Sequence, residues 1–321
     1  MNVKDLQWKK DMTVKELVKQ YGQTGYQSVQ LAKASEVFIK MKKNSAKTYL
    51  TFTSNMVSCG LRGFFAQLIE LGIANVVVTT VGGIEEDIMK SLGEKFAIGS
   101  FTADDVELNE KGINRVGNVF IKNESYMKFE DWIGPVLSKL YEKQKRWAVS
   151  DLLREIGLLL DDKSSILFQA AQKNVPIFCP AITDGSFGFH LYLFQQKHKD
   201  FIVDVIADFG NILFTSSYDE KKAVIALGGS ISKHHAILCT LLNGGAEYAV
   251  YMTTAHKTSG SMSGATTDEA KSWGKVKDES DVATVHGDVT ITFPLAMIHA
   301  LEVFEAEGLL PFSSEDEGEA N

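Results

Sequence analysis

The 321-residue sequence contains only three cysteines and no dense run of lysine or arginine. Cys59, Cys179 and Cys239 are an odd number and lie among apolar or small residues, so we expect reduced, buried thiols rather than a disulfide framework. A catalytic cysteine is disfavoured for the same reason. The formal charge of −8, without a basic patch, argues against a nucleic-acid-binding protein, because phosphate backbones are bound by clustered cations.

The long apolar segments of secreted and membrane proteins are also missing. Residues 1–13 contain no apolar core of a signal sequence, and no stretch of about 18 residues is uninterruptedly apolar. We therefore expect a cytoplasmic protein with no membrane partner. The hydrophobic content of 45% is sufficient for a large core, although length alone leaves one large domain or two smaller ones open.

Three familiar site motifs are absent. No Gly-x-Gly-x-x-Gly follows the first predicted strand, so the ordinary dinucleotide fingerprint is missing. The run Gly260–Gly264 (GSMSG) imitates the composition of a serine-hydrolase elbow without its Gly-x-Ser-x-Gly spacing. The pair His234-His235 does not indicate a metal site, because helix neighbours point about 100° apart and no other Cys or His stands at ligand spacing.

What the sequence does contain is an alternation of β-rich and helical segments. Each strand is followed by small or hydroxyl residues and a helical pattern, which predicts an α/β fold with a mostly parallel sheet and helices on both faces. The predicted strands are residues 48–53, 75–80, 175–179, 223–227 and 248–254, with a helix at 61–71 after the first strand.

The remaining segments give weaker signals. Thr13 and Glu16 form a capping box that begins a helix ending near Tyr21, and a second helix covers residues 27–41. Residues 90–129 are irregular and mixed in polarity, so we expect an excursion from the sheet, followed by a helix at 129–143. We assign residues 1–312 to one domain. Residues 313–321 carry four acids in nine residues and are predicted to be a disordered tail.

The predicted strand ends share a chemistry that suits a nucleotide. In a parallel sheet, ligands bind outside the carboxyl ends of the strands, and small or hydroxyl residues there allow a phosphate or ribose to approach the backbone. Glu85 and Glu86 follow a glycine turn and suit a ribose diol. An equally good interpretation makes them the solvated first turn of a helix. The strand ends carry Ser54, Gly82, Asp184, Gly229 and Thr254.

The segment from Thr253 to Val276 has the composition of a reactive site. Its centre is too rich in glycine and serine for a helix or strand, and an acid, an indole and a lysine follow at Glu269, Trp273 and Lys275. A lysine beside an aromatic wall and a flexible glycine can be partly desolvated, which disfavours its ammonium form. The alternative is a solvated surface loop.

Several runs, taken together, resemble the deoxyhypusine synthase family. They occur in the order and at roughly the spacing of that family, and the resemblance extends from about Val14 to Phe304. The runs are Thr53–Asn55, Thr79-Thr80, Gly82–Asp87, Gly112–Arg115, Phe129–Trp132, Pro180-Ala181, Thr183–Ser186, Leu227–Gly229, Lys233–His235, Ser263–Ala265, Asp268–Ala270 and Ser272–Lys275.

The resemblance implies a Rossmann-like α/β domain and a specific chemistry. NAD takes a hydride from the carbon beside a spermidine amine, and the aminobutyl group passes to a lysine as an imine and then to an acceptor lysine of a protein. It implies that Lys275 is the nucleophile. Positions matching the NAD contacts are Ser54, Ser58, Thr80, Gly82, Glu86, Asp184, Gly229, Thr254, Ala255 and Asp288. Positions matching the amine contacts are Glu85, His234, Tyr251, Gly260, Ser261, Glu269 and Trp273. The family pattern implies a homotetramer with active sites at the dimer interface.

The chain departs from the family pattern at one end of the amine pocket. Phe189 and Met262 stand where the family has aspartates, Leu238 replaces an asparagine, and Ser259 replaces a further aspartate of the same loop. Losing one partner of a buried charge pair costs on the order of 2 to 5 kcal/mol, so we expect spermidine to bind poorly in the family pose.

Three functions are therefore consistent with the sequence. The first is an NAD-dependent aminoalkyl transferase that acts through Lys275 with a polyamine or related amine as donor. The second is transfer to a small amine, similar to homospermidine synthase. The third is a non-catalytic NAD-binding homologue. Retention of Lys275, Glu269 and Trp273 favours an enzyme, because a binding protein does not need an activated lysine.

Overall fold

A computed structural model describes residues 2–311, so the predicted tail at 313–321 lies outside the described residues. The helices are α1 Val14–Tyr21, α2 Gln27–Lys43, α3 Arg62–Glu70, α4 Val81–Ser91, α5 Asp105–Glu110, α6 Asn123–Lys143, α7 Val149–Gly157, α8 Ile166–Gln172, α9 Ser186–Lys197, α10 Val205–Leu213, α11 Ser230–Leu242, α12 Thr267–Ser272 and α13 Val289–Ala306. The strands are β1 Lys47–Thr51, β2 Val76–Val78, β3 Ala97–Ile98, β4 Ile113–Val116, β5 Val119–Lys122, β6 Arg146–Ala148, β7 Ile177–Phe178, β8 Ile202–Asp204, β9 Lys222–Leu227, β10 Ala246–Thr253 and β11 Val276–His286.

The main sheet has six strands in the order β11-β10-β9-β1-β2-β7, and every neighbouring pair is parallel. The predicted α/β fold with a mostly parallel sheet is therefore confirmed. Because all six strands run in one direction, their carboxyl ends meet at a single edge, which we call the carboxyl edge. The opposite side is the amino edge.

Alternate residues along each strand face two separate hydrophobic clusters. Leu50, Ile225 and Val250 belong to the first cluster, which also receives α1, α2, α3 and α13. Tyr49 and Tyr251 belong to the second cluster, under α10, α11 and α12. Strands such as β9, with the sequence KAVIAL, are buried along their whole length, which requires apolar side chains on both faces. We call these sides the first face and the second face.

The predicted helices and strands agree best with the structure where the hydrophobic pattern extends over many residues. The capping box of α1 is confirmed, because the Glu16 amide donates to Thr13 Oγ1 at 3.2 Å and the Thr13 amide donates to Glu16 Oε2 at 3.1 Å. Helix α2 begins at the predicted residue and continues two residues further. Strands β2 and β7 are shorter than predicted, because their flanking residues already belong to the loops of the sheet edges.

Residues 90–129 leave the main sheet as predicted, but the prediction that they are irregular is wrong. The segment forms α5 and an antiparallel sheet in the order β3-β5-β4, and α6 begins at Asn123 rather than at Phe129. A hairpin at Gly117, with φ of 62°, joins β4 to β5. Strands of two to four residues are too short to give a readable alternation.

The prediction of three buried thiols is wrong for one of them. Cys179 and Cys239 are buried, but Cys59 is exposed. Cys59 lies in a π-helical turn, residues 57–61, in which Gly60 adopts a φ of 111°. The turn brings the backbone to the surface at the carboxyl edge.

Helix α13 is, among residues 2–311, the one helix long and apolar enough to cross a membrane by length and composition. It lies in the first cluster, where Phe293, Met297, Ala300 and Phe304 are buried, and it packs against α1 and α2. Its apolar character is therefore that of a helix packed into the core.

Candidate functional site

Ser54, Thr80 and Gly82 come together where β1 and β2 end at the carboxyl edge. The Ser54 amide donates to Thr80 Oγ1 at 3.1 Å, and Thr80 is the extended residue that precedes α4. A Cβ on Gly82 would lie 2.8 Å from Ser54 Cβ, which is closer than real side chains approach. The close contact explains why a glycine stands at the first turn of α4.

Ser58 and Glu86 form the wall beside this contact. Both are buried, and burial raises the pKa of Glu86 to about 8, against the opposing effects of Lys90 and Ser58. Glu86 Oε2 has no hydrogen-bond partner among the residues that the structure describes. A buried acceptor without a donor is costly and is usually satisfied by a ligand or water, so this oxygen suits a hydroxyl such as that of a ribose.

Glu85 lies beside Glu86 but faces a different element. It accepts a hydrogen bond from the Phe187 amide at 2.9 Å at the beginning of α9, and burial raises its pKa. A Cβ on Gly185 would lie 3.2 Å from both Glu85 oxygens. Because Glu85 and Glu86 are both buried, the alternative that they form a solvated helical turn is wrong. Asp184 precedes Gly185 and is exposed.

The loop at residues 254–266, which we call the serine loop, continues the carboxyl edge after β10. Thr254 is exposed and Ala255 is partly buried. Ser263 packs so closely on Gly229 that a Cβ there would overlap it, and the Ser230 amide donates to Ser263 Oγ at 3.3 Å. The loop is thus folded back onto the beginning of α11, while Gly260 and Ser261 stay exposed.

A cavity of about 290 Å³ lies under this loop and includes Thr253, Ala255 and Gly264. Two histidines line it, with ring centroids 5.0 Å apart: His256 and His286. His286 Nδ1 is 3.1 Å from the Thr253 carbonyl oxygen, which orients its ring. Asp288 follows β11 near the same edge and is exposed, and it caps α13 by accepting from the Thr290 amide at 2.8 Å.

Lys275 is on the second face rather than at the carboxyl edge. Its side chain is 7% exposed, and Nζ lies 5.0 Å from the centroid of the Trp273 ring, which is itself 65% exposed. Among residues 2–311, the Lys275 ammonium has no hydrogen-bond or ion-pair partner. Gly274, with φ of 70°, makes the turn between the indole and the lysine.

The other predicted amine contacts are divided between surface and core. Glu269 and His234 are exposed, on α12 and α11, and partial burial together with the Lys275 charge lowers the pKa of His234. Tyr251 is buried in β10, and its hydroxyl has no partner within the described chain. The structure therefore places these groups around α11, without gathering them into one closed pocket.

The backbone of Lys275 and the carboxyl ends of the strands lie at opposite edges of the sheet. Lys275 immediately precedes β11, and its carbonyl oxygen accepts from the Ala246 amide at 3.1 Å, where β10 begins. The eight residues of β10 span about 25 Å at the usual rise per residue. The backbone of Lys275 is thus at the amino edge, whereas its ammonium is close enough to the beginning of α11 to lower the pKa of Lys233 and of His234.

The four positions that depart from the family pattern lie on different elements. Phe189 is 56% exposed on α9, and Leu238 is partly buried on α11. Met262 packs against the second cluster, and Ser259 donates to the His256 carbonyl oxygen at 2.8 Å. None of the four carries a charge, so none can pair with a substrate ammonium.

Sequence reasoning missed three groups around the site: Lys90, Tyr126 and Lys233. Lys90 donates to the carbonyls of Val57 and Ser58 at 2.7 and 3.3 Å and so supports the π-helical turn. Burial, with the charges of the two glutamates, raises the pKa of Tyr126 to about 12. The spacing of Lys90, four residues after Glu86 on one helix face, was a readable signal. For the other two, the sequence carries no sign of burial.

The comparisons with known proteins agree on one family. A family model described as "Deoxyhypusine synthase" matches residues 16–300. A "Probable deoxyhypusine synthase" of Schizosaccharomyces pombe is 38% identical over 301 residues, covering 88% of this chain and 86% of the relative. One of Thermoplasma volcanium is 39% identical over 300 residues, covering 92% and 96%.

A solved structure gives the same result. The "Crystal Structure of a putative deoxyhypusine synthase from Entamoeba histolytica" aligns with a TM-score of 0.66 and 25% identity, covering 94% of this chain and 97% of that one. Fold, family model and curated relatives agree, and this chain belongs to the deoxyhypusine synthase family, whose members are transferases.

Proposed function

We propose that this protein is an NAD-dependent aminoalkyl transferase that acts through an imine on Lys275. The observation that carries the proposal is the state of that lysine, which is buried against Trp273 and has no hydrogen-bond or ion-pair partner among residues 2–311. Lys222 and Lys233, whose side chains are also buried, pair their ammonium groups with backbone carbonyls, whereas the unpaired ammonium of Lys275 remains available to a substrate. A nucleophilic lysine requires such surroundings.

The carboxyl edge fits NAD. Glu86 Oε2 needs a donor, which a ribose hydroxyl supplies, and the contact between Gly82 and Ser54 leaves the first turn of α4 without a side chain. Ser54, Ser58, Thr80, Gly82, Glu86, Asp184, Gly229, Thr254, Ala255 and Asp288 would hold it. When bound, NAD supplies a hydride acceptor for the carbon beside the donor amine, and later a hydride donor. The oxygen atoms and small residues of this edge bind and orient that group.

The groups on the second face then act on the amine. Trp273 offers an exposed aromatic surface to an alkylammonium, and Glu269 lies one turn earlier on α12 with its carboxylate free to pair with it. Lys275 Nζ attacks the carbon of the oxidised donor, the donor's leaving amine departs, and the aminoalkyl group remains on Nζ as an imine. An acceptor amine adds to the imine carbon and displaces Lys275, which leaves the aminoalkyl group as an imine on the acceptor. The hydride taken from the donor would then return to that carbon and give a secondary amine, with no net oxidation. The acceptor is either a lysine of a partner protein or a small amine.

Assembly is part of the proposal. The backbone of Lys275 is at the amino edge and the proposed cofactor positions are at the carboxyl edge, and we propose that a second copy completes each site. The second face supports this interpretation, since it exposes large apolar side chains that an isolated subunit rarely shows. They include Ile206, Phe214, Ile231 and Trp273. We propose a homotetramer with active sites between paired subunits, located in the cytoplasm.

The test of this function is to trap the intermediate. Purified protein is incubated with NAD and a panel of amines, borohydride is added during turnover, and the modified peptide is identified by mass spectrometry. We expect a secondary amine on Lys275. Lys275→Arg keeps the charge and should reduce the adduct by at least about 1,000-fold, because a guanidinium is not deprotonated here. Trapping on Lys271 or Lys277 would contradict the assignment, and binding of NAD without any adduct would indicate a non-catalytic homologue.

The donor is proposed to be an amine other than spermidine in the family pose. Phe189 and Met262 cannot compensate an ammonium, so shorter or less charged amines should be better donors. The double variant Phe189→Asp, Met262→Asp should increase spermidine use by about 30-fold or more, from the cost of an unpaired buried charge. Efficient cleavage of spermidine by the unmodified protein would overturn this pocket argument while leaving the transferase proposal intact.

A further inference from the structure

Lys233 is a fully buried lysine whose role the reaction does not account for. It lies in the first turn of α11, and its ammonium is 4.1 Å from the centroid of the Tyr251 ring. Nζ donates to the carbonyl oxygens of Met262 at 3.0 Å and Ala265 at 2.7 Å. Both acceptors belong to the serine loop, so the side chain joins α11 to the loop that follows β10.

Lys233 makes the main polar attachment of the serine loop to α11, in addition to the packing of Ser263 on Gly229 and of Met262 on the second cluster. Residues 256–261 are exposed, and within the loop Ser259 Oγ donates to the His256 carbonyl oxygen and Ser261 Oγ accepts from the Ser263 amide. The bond from the Ser230 amide to Ser263 Oγ is long, at 3.3 Å. Charge-assisted hydrogen bonds are roughly twice as strong as neutral ones, so the two from Lys233 provide the main polar attachment.

The surroundings of Lys233 shift the pKa of its ammonium group. Burial, opposed by the charge of Glu269 and assisted by that of Lys275, lowers the pKa of Lys233 to about 8. No carboxylate forms an ion pair with Lys233 among the described residues, so the two carbonyls and the Tyr251 ring are what stabilise the ammonium. A buried cation placed on backbone carbonyls suits attachment of a loop rather than binding of an acid.

We propose that Lys233 is a positioning residue that fixes the serine loop against α11, so that Gly260 and Ser261 are held where the amine binds. The role of those two residues rests on the proposed function, whereas the attachment of the loop does not. Without Lys233 the loop should open, weakening the binding of the amine while leaving the NAD positions on β1, β2 and α4 in place.

The chain offers a matched control in Lys222. This lysine is also fully buried, and it donates to the carbonyls of Ser217, Tyr218 and Glu220, in the loop before β9 at the amino edge. It therefore has the same chemistry and the same burial, but its loop carries none of the predicted site residues. Any effect of removing a buried lysine in general should appear in both variants.

The experiment compares Lys233→Met and Lys222→Met by hydrogen exchange and by kinetics. In Lys233→Met, the amides of Gly264 and Ala265, which donate within the loop, should exchange at least about tenfold faster than in the unmodified protein. In Lys222→Met they should not change. With an active amine, Lys233→Met should raise KM for the amine about tenfold and change the Kd of NAD by less, because only Thr254 and Ala255 of the ten proposed NAD positions lie in the serine loop.

Hydrogen exchange and kinetics together distinguish a failure of the positioning role of Lys233 from a failure of the proposed function. Unchanged exchange in the serine loop of Lys233→Met overturns the positioning role, whatever the activity. Faster exchange without any amine turnover in the unmodified protein supports the attachment and contradicts the proposed function alone. If Lys233→Met does not fold, Lys233→Gln retains a donor and should show an intermediate increase in exchange. An equal rise in both lysine variants would reduce Lys233 to a general stabilising group.

Discussion

The carboxyl edge and the amino edge of the same sheet differ in how their buried polar atoms are satisfied. The buried side-chain atoms without a hydrogen-bond partner among residues 2–311 all lie towards the carboxyl ends of strands or just beyond them: Thr51 Oγ1, Thr79 Oγ1, Glu86 Oε2 and Tyr251 hydroxyl. At the amino edge, Lys222 has three carbonyl acceptors. Because native folds usually satisfy their buried polar groups, the contrast indicates that a ligand binds at the carboxyl edge.

The same contrast occurs between two neighbouring residues of α4. Asp87 accepts hydrogen bonds from Arg62 Nε, from Ser165 Oγ at 2.8 Å and from the Leu167 amide at 2.8 Å, and it thereby fixes α3, α4 and α8 together. Glu86, one residue earlier, has an oxygen with no partner. The Asp87 carboxylate stabilises the fold, whereas burial of the Glu86 carboxyl group lowers the stability of the folded state.

The largest effect on stability should come from the satisfied carboxylate. Asp87→Ala leaves the Arg62 guanidinium buried without its main partner and removes the acceptor at the beginning of α8, so we expect a loss of about 3–5 kcal/mol in the free energy of unfolding. Denaturant unfolding measures it. A loss below about 1 kcal/mol would show that Asp162, the second partner of Arg62, carries the contact alone.

Glu86→Gln should increase the free energy of unfolding rather than decrease it, and the size of the increase should depend on pH. The folded-state pKa of about 8 lies above the ordinary glutamate value of 4.5, so the wild type loses stability as pH rises from about 4.5 to about 8. The variant avoids this loss. It should therefore be more stable than the wild type by a few kcal/mol above pH 8 and equal to it below about pH 4.5. Unfolding at several pH values measures the difference, and a constant difference would contradict the buried-acid interpretation.

The parts of this contrast that the sequence predicts are those that depend on local chemistry. Small and hydroxyl residues at the strand ends indicated the carboxyl edge, and parallel pairing places Ser54, Thr80 and Gly82 together as expected. The position of Lys275 was not predictable, because β11 was not recognised. Its first half, VKDES, is charged and largely exposed, and the register between β10 and β11 shifts there, so no strand alternation is visible.

Burial of charged groups is the other property that the sequence conceals. Lys233 stands beside His234-His235 in an ordinary helical pattern, yet it is fully buried because the serine loop folds back over α11. That contact joins residues about 30 positions apart and depends on the glycine at 229, where any side chain would overlap Ser263. Local propensity carries no information on such long-range contacts, and so the sequence located the loop without indicating what holds it.

The smallest expected effect separates cofactor binding from stability. In Gly82→Ala the new Cβ would meet Ser54 at 2.8 Å, so Ser54 must move, and we expect NAD to bind about tenfold more weakly, or about 1.4 kcal/mol. Gly134→Ala is the matched control, because Gly134 also lies in a helix but its Cβ position is open. That variant should gain about 0.5–1 kcal/mol in stability from the higher helix propensity of alanine. Its affinity for NAD should not change.

Calorimetry with NAD measures both variants, and thermal unfolding with and without NAD checks the result. At 100 times the Kd, a ligand that binds only the folded state adds about 2.7 kcal/mol, which is resolvable for the wild type and should shrink for Gly82→Ala at the same NAD concentration. Equal affinities in the two alanine variants would show that NAD does not contact the first turn of α4. Absence of heat and of thermal stabilisation in the wild type at millimolar NAD would remove the cofactor from the proposal, and the unsatisfied oxygen of Glu86 would then require another donor.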